Sequence, residues 1–160
     1  MTTLFSENQR FTQWWLWLIL AGILFIPTYG LINQNFLGNP VGDNPSTDAG
    51  MIAYFLTSLA VVIFFVLMNL ITEINEVHIY IKFYPLFTKT LEWKDIHSAR
   101  IVDYGFAGGW GIRLGTPYGT LYNVKGSKGL AIEMKNGKKY CIGTQKQEEM
   151  QAVVDRIKSN

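Results

Sequence analysis

Charged residues are scarce in the first half of this 160-residue chain, and cysteine and histidine are scarce throughout. Between positions 11 and 71 only Asp43 and Asp48 carry a charge. That stretch lacks the charged surface of a soluble domain, in which roughly 25% of residues are charged. The single cysteine, Cys141, rules out an intrachain disulfide.

The residue patterns of enzymes and metal sites are also missing. The two histidines, His78 and His97, have no Cys or His at metal-ligand spacing and are interpreted as solvated or hydrogen-bonded side chains. The segment GFAGGWG has the glycines of a phosphate-binding loop but not its Lys-Ser/Thr ending. The sequence has no pattern that would bring together a nucleophile, a general base and a group that orients the base. The sequence therefore predicts a protein without catalytic residues, metal or cofactor.

Two long uncharged runs dominate the first half. They cover residues 14–32 and 51–71, and as helices each would span roughly 30 Å, the thickness of the hydrocarbon core of a membrane. Neither run has the polar face of a helix buried in a soluble core. A cleaved signal peptide is the alternative for the first run, although no small-x-small cleavage pattern follows it. The sequence thus predicts two transmembrane helices.

The placement of basic residues predicts the topology of this hairpin. The connecting loop, residues 33–50, has no Lys or Arg, whereas Arg10 and every other basic residue lie outside the hairpin. The positive-inside rule then places both termini in the cytoplasm, with residues 1–13 as a cytoplasmic segment and the loop on the far side of the inner membrane. Aromatic residues near the ends of the first run are interpreted as interface anchors, namely Trp14, Trp15, Trp17 and Tyr29.

The second half, residues 72–160, has an ordinary soluble charge content and alternates apolar with polar residues, which predicts strands. Seven strands can be followed, at 77–84, 87–93, 98–104, 110–115, 119–124, 129–135 and 138–144. Thr144 and Gln147 have the spacing of a capping box before an amphipathic C-terminal helix. We therefore predict an α+β membrane protein in which residues 72–160 alone form a small bent sheet or open barrel, closed by that helix.

The segments LEWKDIHSARI and YCIGTQKQEEMQAVVDRI resemble the bacterial pleckstrin-homology-like domains, which often follow a pair of transmembrane helices. With its ENQRFTQWW opening, GGWGIR motif and GLAIEMKNGKKYCIGTQ ending, nearly the whole chain resembles an uncharacterised bacterial two-helix membrane family with such a domain. The resemblance implies a C-terminal pleckstrin-homology-like domain of about seven strands and a closing helix, and a membrane location. It implies no catalytic or binding residue, because the function of that family is not established.

The stretch GFAGGWGIRLG, residues 105–115, combines five glycines with one tryptophan and one arginine. On a strand, one face would carry Trp110, Ile112 and Leu114. The other face would be bare apart from one guanidinium, since it consists of Gly109, Gly111, Arg113 and Gly115. Two interpretations are open. Either the glycines let a small sheet curl while Arg113 pairs with an acid such as Asp103, or this face is a trough in which Arg113 binds a carboxylate or phosphate of a partner.

Lysines are scattered over strands and turns rather than gathered on one helix or an aromatic platform, so nucleic acid is not an expected partner. The short link 72–75 would hold the domain near lipid headgroups. Lys82, Lys89 and Lys94 are therefore candidates for contact with anionic headgroups, the alternative being lysines that only provide solubility.

These features favour a membrane-anchored, non-catalytic binding or scaffold module that contacts the lipid bilayer and either a protein partner or a second copy of itself. An accessory subunit of a transport or channel complex is one alternative, although the two runs lack the ionisable residues that mark ion pathways. An enzyme of unrecognised type is the other alternative, and no group of residues supports it.

Overall fold

The computed structural model describes residues 2–39, 42, 45–106 and 109–159. The chain divides into two compact units. The helical unit consists of residues 12–67, and the β unit consists of the residues up to Phe11 together with those from Met68 onward. The β unit is therefore built from both sides of the apolar segment.

The helical unit contains two long apolar helices. Helix α1 covers Trp14–Leu31 and continues into a π-helical segment, Ile32–Phe36, while helix α2 covers Asp48–Leu67. Both are long and apolar enough to cross a membrane, and only 17% and 11% of their most apolar windows are buried within the structure. Where the two helices meet, Gly30 leaves room for the side chain of Met51.

The second helix differs from the predicted span 51–71. Helix α2 begins at Asp48 and ends at Leu67, and the residues from Asn69 onward form a strand. The apolar run extends past the helix because Leu70, on this strand, is fully buried in the core of the β unit. An apolar run does not by itself distinguish a helix from a buried strand.

The first sheet of the β unit has four antiparallel strands in chain order. They are β1 (Phe5–Arg10), β2 (Asn69–Ile74), β3 (His78–Tyr84) and β4 (Phe87–Glu92). The predicted strands at 77–84 and 87–93 are confirmed, but β1 and β2 were not predicted. The expectation that residues 72–160 alone make up the domain is therefore wrong, because its first sheet begins with residues from the other side of the hairpin.

The second sheet has five strands in the order β5-β8-β9-β7-β6. They are β5 (Ile96–Asp103), β6 (Gly111–Thr116), β7 (Gly119–Asn123), β8 (Lys128–Met134) and β9 (Lys139–Gly143). The pair β7 and β9 is parallel, and the other neighbours are antiparallel. Helix α3, Gln147–Lys158, follows. The five predicted strands and the helix are confirmed in kind, and the described strands number nine rather than about seven.

Both sheets and α3 contribute to the core of the β unit. Its fully buried apolar side chains include Phe5, Leu70, Ile74, Ile79, Ile81, Phe83, Leu121, Val124, Leu130, Ile132, Ile142, Met150 and Val154. Helix α3 lies against β1, β5 and β8. The rings of Phe87 in β4 and Tyr122 in β7 join the two sheets, with their centroids 4.9 Å apart.

Strand β1 is attached to the end of β9 through buried polar side chains. Glu7 is 6% exposed and accepts hydrogen bonds from the Thr144 hydroxyl at 2.6 Å and the Gln145 backbone N–H at 2.8 Å. Gln9 donates to the carbonyl oxygen of Gly143 at 2.7 Å. The predicted capping box with Gln147 is not formed, because α3 begins at Gln147 with Lys146 at its N-cap and no side chain caps it. The Thr144 hydroxyl instead donates to Glu7 and accepts from the N–H of Lys146.

Candidate functional site

The glycine stretch adopts backbone conformations that favour glycine. Gly109, Gly111 and Gly115 have φ angles of 125°, 107° and 72°, a region that other residues rarely adopt. A side chain at Gly109 would also collide with Nη2 of Arg113, whereas no atom lies within 4 Å of the positions that side chains at Gly111 and Gly115 would start from. The positive φ angles therefore explain why glycine occurs at all three positions. Only at Gly109 does a neighbouring side chain, that of Arg113, also leave no room for a Cβ atom. Positions 107 and 108 lie outside the described residues.

The two faces of the second sheet have different neighbours, since only one of them packs against the first sheet. Tyr122, Tyr140 and Ile142 share one face by register, and this inner face meets the first sheet where Tyr122 contacts Phe87 and the hydroxyl of Tyr140 accepts a hydrogen bond from Lys89. The opposite face, which carries Leu121 and Cys141 side by side, is here called the outer face.

Arg113 lies on the outer face. It pairs with Leu121, which is fully buried, and it is itself half-buried. Ile112 and Leu114 point the other way and are 37% and 79% exposed. The apolar residues therefore lie on the more exposed face of β6. Alternation separates the two faces of a strand but does not indicate which face is covered.

A single row of residues crosses the outer face from one edge strand to the other. By register, it consists of Arg100 in β5, Ala131 in β8, Cys141 in β9, Leu121 in β7 and Arg113 in β6. Two arginines thus stand at the edges of the sheet with small or apolar residues between them. Arg100 was not singled out from the sequence, because its relation to Arg113 depends on the strand order.

Arg113 has no carboxylate partner among the residues that the structure describes. The ion pairs in this part of the chain join Lys94 to Glu92, Lys139 to Glu133 and Lys146 to Glu149. Asp103, the partner considered from the sequence, instead accepts a hydrogen bond from the N–H of Gly105 at 2.9 Å. The Nε–H of Arg113 is buried and has no hydrogen-bond acceptor among the described residues. A desolvated guanidinium donor without a partner is costly unless a ligand supplies the acceptor.

Asn123 lies on the same face, two residue pairs further along β6 and β7, where it pairs with Gly111. It is 2% exposed, and its amide N–H donates to the carbonyl oxygen of Gly109 at 3.4 Å. Its Oδ1 is buried and has no donor within the described part of the chain. An unpaired donor on Arg113 and an unpaired acceptor on Asn123 therefore flank the same glycine, Gly109. This pair suits a ligand that carries both an anionic group and an N–H or O–H group.

Two hollows of about 340 Å³ lie at this sheet. One is lined by Arg100, Tyr118, Ala131, Glu133 and Lys139, among others. The other is lined by Gly105, Phe106, Gly109, Trp110, Asn123 and Ser127, among others. Phe106 is 83% exposed at the second hollow, and Trp110 is half-buried there. Burial raises the pKa of the Tyr104 phenol to about 12, so this group stays neutral at physiological pH.

The structure places the three candidate lysines in different surroundings. Lys94 forms a 2.6 Å ion pair with Glu92, and the hydrogen bond between them lowers the pKa of Glu92 and raises that of Lys94. The ammonium of Lys89 lies 4.1 Å from the ring centroid of Tyr140 and donates to its hydroxyl. Only Lys82 has no protein anion or hydroxyl partner among them, and it lies over the ring of Tyr84.

The aromatic residues predicted as interface anchors all lie on α1. Trp14 is 73% exposed, Trp15 38% and Tyr29 54%, while Trp17 is half-buried. Tyr29 stacks on Phe25 at a centroid distance of 6.3 Å. The structure does not bring these four residues together into one site.

The remaining titratable groups form no metal centre within the described ranges, since no three His, Cys, Asp or Glu side chains there are grouped for metal binding. His78 lies 3.3 Å from the side-chain nitrogen of Asn75. Cys141 is fully buried, and burial raises its pKa to about 12. Such a thiol is a poor nucleophile at neutral pH.

Compared with protein-family models, curated proteins and solved structures, the chain has no significant match in any of the three.

Proposed function

We propose that this protein is a membrane-anchored binding module, in which α1 and α2 form a transmembrane hairpin and the β unit lies on the cytoplasmic side as a pleckstrin-homology-like domain. The exposed apolar surface of both helices supports the anchoring, because lipid is the solvent in which such a surface is stable. The absence of Lys and Arg between positions 11 and 71 supports cytoplasmic termini.

The observation that carries the binding role is the unpaired state of Arg113. Its Nε–H is buried without an acceptor, and no described residue forms an ion pair with it. The preferred ligand group is a carboxylate or phosphate, which a guanidinium can hold by two parallel hydrogen bonds. Asn123 Oδ1 would accept a hydrogen bond from the same ligand. A protein segment that presents an acidic side chain beside a backbone N–H has both groups.

The test compares Arg113→Ala with Arg113→Lys and with Arg156→Ala, which removes an exposed arginine from α3. Each full-length variant is purified from its own membranes, and its thermal melt and its co-purifying proteins are measured. We expect Arg113→Ala to fold but to weaken its partner complex by about 2 kcal/mol or more, as for a buried interface anchor. Arg113→Lys keeps the charge but not the paired geometry, so it should rescue binding only in part.

Arg156→Ala should retain every partner. If Arg113→Ala also retained every partner at the wild-type yield, the binding role of Arg113 would be wrong, and the glycine stretch would be explained by the curl of the sheet alone.

A further inference from the structure

One end of the first sheet carries an exposed apolar turn next to the two points where the chain enters and leaves the helical unit. By register, Arg10 at the end of β1 pairs with Asn69 at the start of β2, and Asn69 pairs with Tyr84 at the end of β3. The β3–β4 turn, Tyr84–Phe87, therefore lies at the same end of the sheet as Arg10 and Asn69. Only Met68 separates Asn69 from the last residue of α2.

We propose that the β3–β4 turn inserts into the membrane interface and forms a third attachment of the chain to the bilayer. This inference rests on the proposed transmembrane role of α1 and α2. If α2 ends at the membrane surface, β2 begins within about two residues of that surface, roughly 7 Å of chain. The turn shares that end of the sheet and so reaches the same layer of lipid headgroups.

The composition of the turn suits this layer. Leu86 is 49% exposed at its tip, and Tyr84 is 40% exposed beside it. Lys82 lies with its ammonium 5.4 Å from the ring centroid of Tyr84, and Arg10 is exposed at the same end of the sheet, on β1. Tyrosine and leucine are typical of residues that enter the boundary between headgroups and acyl chains. The two cations fit anionic headgroups above it.

The turn is also held firmly enough to present its tip. Its backbone is closed by a 2.8 Å hydrogen bond from the N–H of Leu86 to the carbonyl oxygen of Phe83. Phe83 and Phe87 stack at a centroid distance of 6.1 Å, and Phe87 packs in turn on Tyr122. The aromatic base therefore belongs to the core, while Leu86 points away from it.

The opposite end of the same sheet provides an internal comparison. The β2–β3 turn carries Val77, which is 46% exposed and so nearly matches Leu86. Its neighbours are polar, because Glu76 precedes it and the side chain of Asn75 accepts hydrogen bonds from the N–H groups of Val77 and His78. Apolar exposure alone is similar at the two ends, and only one end carries the residues at which the chain enters and leaves the helical unit.

The experiment places one fluorophore at three sites in turn, using Leu86→Cys, Val77→Cys and Ile63→Cys, each in a Cys141→Ala background. Each full-length protein is labelled with an environment-sensitive probe and reconstituted into phosphatidylcholine vesicles with or without phosphatidylglycerol. Nitroxide-labelled lipids at shallow and deep positions then quench the probe. The background protein without an added cysteine corrects for unspecific labelling, and a thermal melt checks its fold.

We expect the shallow nitroxide to quench the probe at position 86 by about twofold or more over position 77, and more strongly with anionic lipid. The nitroxides should also quench the probe at Ile63, an exposed position four residues before the end of α2. Quenching at 63 with equal quenching at 86 and 77 would overturn the inserted turn and leave the anchoring intact. No quenching at 63 would overturn the anchoring itself.

A third outcome would identify a different neighbour of the turn. If the probe at 86 shifted to a shorter emission wavelength only at high protein-to-lipid ratios and no nitroxide quenched it, the turn would contact a second copy of the chain, and the lipid assignment would be wrong. As a second variant, Leu86→Asp should abolish membrane contact of a probe at Tyr84→Cys, because a charge at the tip opposes insertion.

Discussion

The helical unit and the β unit place their apolar side chains in opposite ways. On α1, Leu18 is 62% exposed and Phe25 is 68% exposed, whereas in the first sheet Ile79 and Ile81 are fully buried. The β unit has a sealed core and a charged surface, which is the pattern of a domain built for water. The helical unit has little core of its own and an apolar exterior. The difference supports the proposed membrane location of the helical unit.

The largest expected effect concerns where the β unit begins and ends. A fragment of residues 72–160 lacks β1 and half of β2, including the buried Phe5 and Leu70. We expect it to lose more than about 5 kcal/mol and to remain unfolded, since each large core side chain contributes roughly 3 to 5 kcal/mol. Circular dichroism and a thermal melt of the fragment would measure this loss.

A matched fusion sharpens this prediction. Because Arg10 pairs with Asn69, replacing residues 12–67 by Asn-Gly should join β1 to β2 through a short hairpin turn. This fusion should be soluble and should melt cooperatively. If the 72–160 fragment folded, or if the fusion did not, the β unit would not consist of the residues up to Phe11 together with those from Met68 onward.

A smaller effect is expected from a charge placed on exposed apolar surface of each unit. Phe25→Asp in α1 should cost about 3 kcal/mol of membrane insertion, whereas Leu114→Asp, at a residue 79% exposed in β6, should change the stability of the β unit by about 0.5 kcal/mol at most. Alkaline extraction of membranes measures the first effect and a urea titration the second. If Phe25→Asp left membrane insertion unchanged, or if Leu114→Asp unfolded the β unit, the difference between the exposed surfaces of the two units would be wrong.

The smallest effect concerns the buried thiol of the β unit at alkaline pH. Burial raises the pKa of Cys141 from 9.0 to about 12 in the folded chain, so the unfolded state loses its thiol proton first. The stability that the neutral thiol contributes is fully present below about pH 9 and is lost as pH rises toward 12, by about 1.4 kcal/mol per pH unit.

The Cys141→Ala variant isolates this contribution. Urea-unfolding midpoints of the full chain in detergent, measured at pH 9 and at pH 10, should fall less for the variant than for the wild type. The range stops at pH 10 because Tyr104 has its own raised pKa and begins to contribute above that value. The same decrease in both proteins would show that the thiol of Cys141 does not stay neutral in the fold.

Strands with apolar alternation were predictable from the sequence, and β1 was not. In β3, Ile79, Ile81 and Phe83 fill the core at every second position, so period two is visible in the sequence. In β1 the inward positions after Phe5 are Glu7 and Gln9, which a periodicity argument assigns to a solvated segment. Their burial depends on partners more than 130 positions away in β9 and the loop after it, and sequence spacing does not indicate such pairing.

The candidate site was predictable in composition but not in arrangement. Arg113 and its glycines were singled out from the sequence, and by register Gly111 and Arg113 share the face of β6 opposite Ile112. Which face lies over buried residues, and the presence of Arg100 in the same row, follow from the strand order β5-β8-β9-β7-β6. The sequence likewise does not indicate that the acceptor of Asn123 is buried next to Gly109.

The pairing of β1 with β2 also sets an order of events during synthesis. Arg10 and Asn69 are paired but lie 59 positions apart in the chain, and at roughly 5 to 20 residues per second a ribosome needs roughly 3 to 12 s to make the intervening segment. During that interval β1 has been synthesised without its neighbouring strand. Until β2 is made, the core residue Phe5 lacks its paired strand. The first sheet can therefore close only after the whole helical unit has been synthesised.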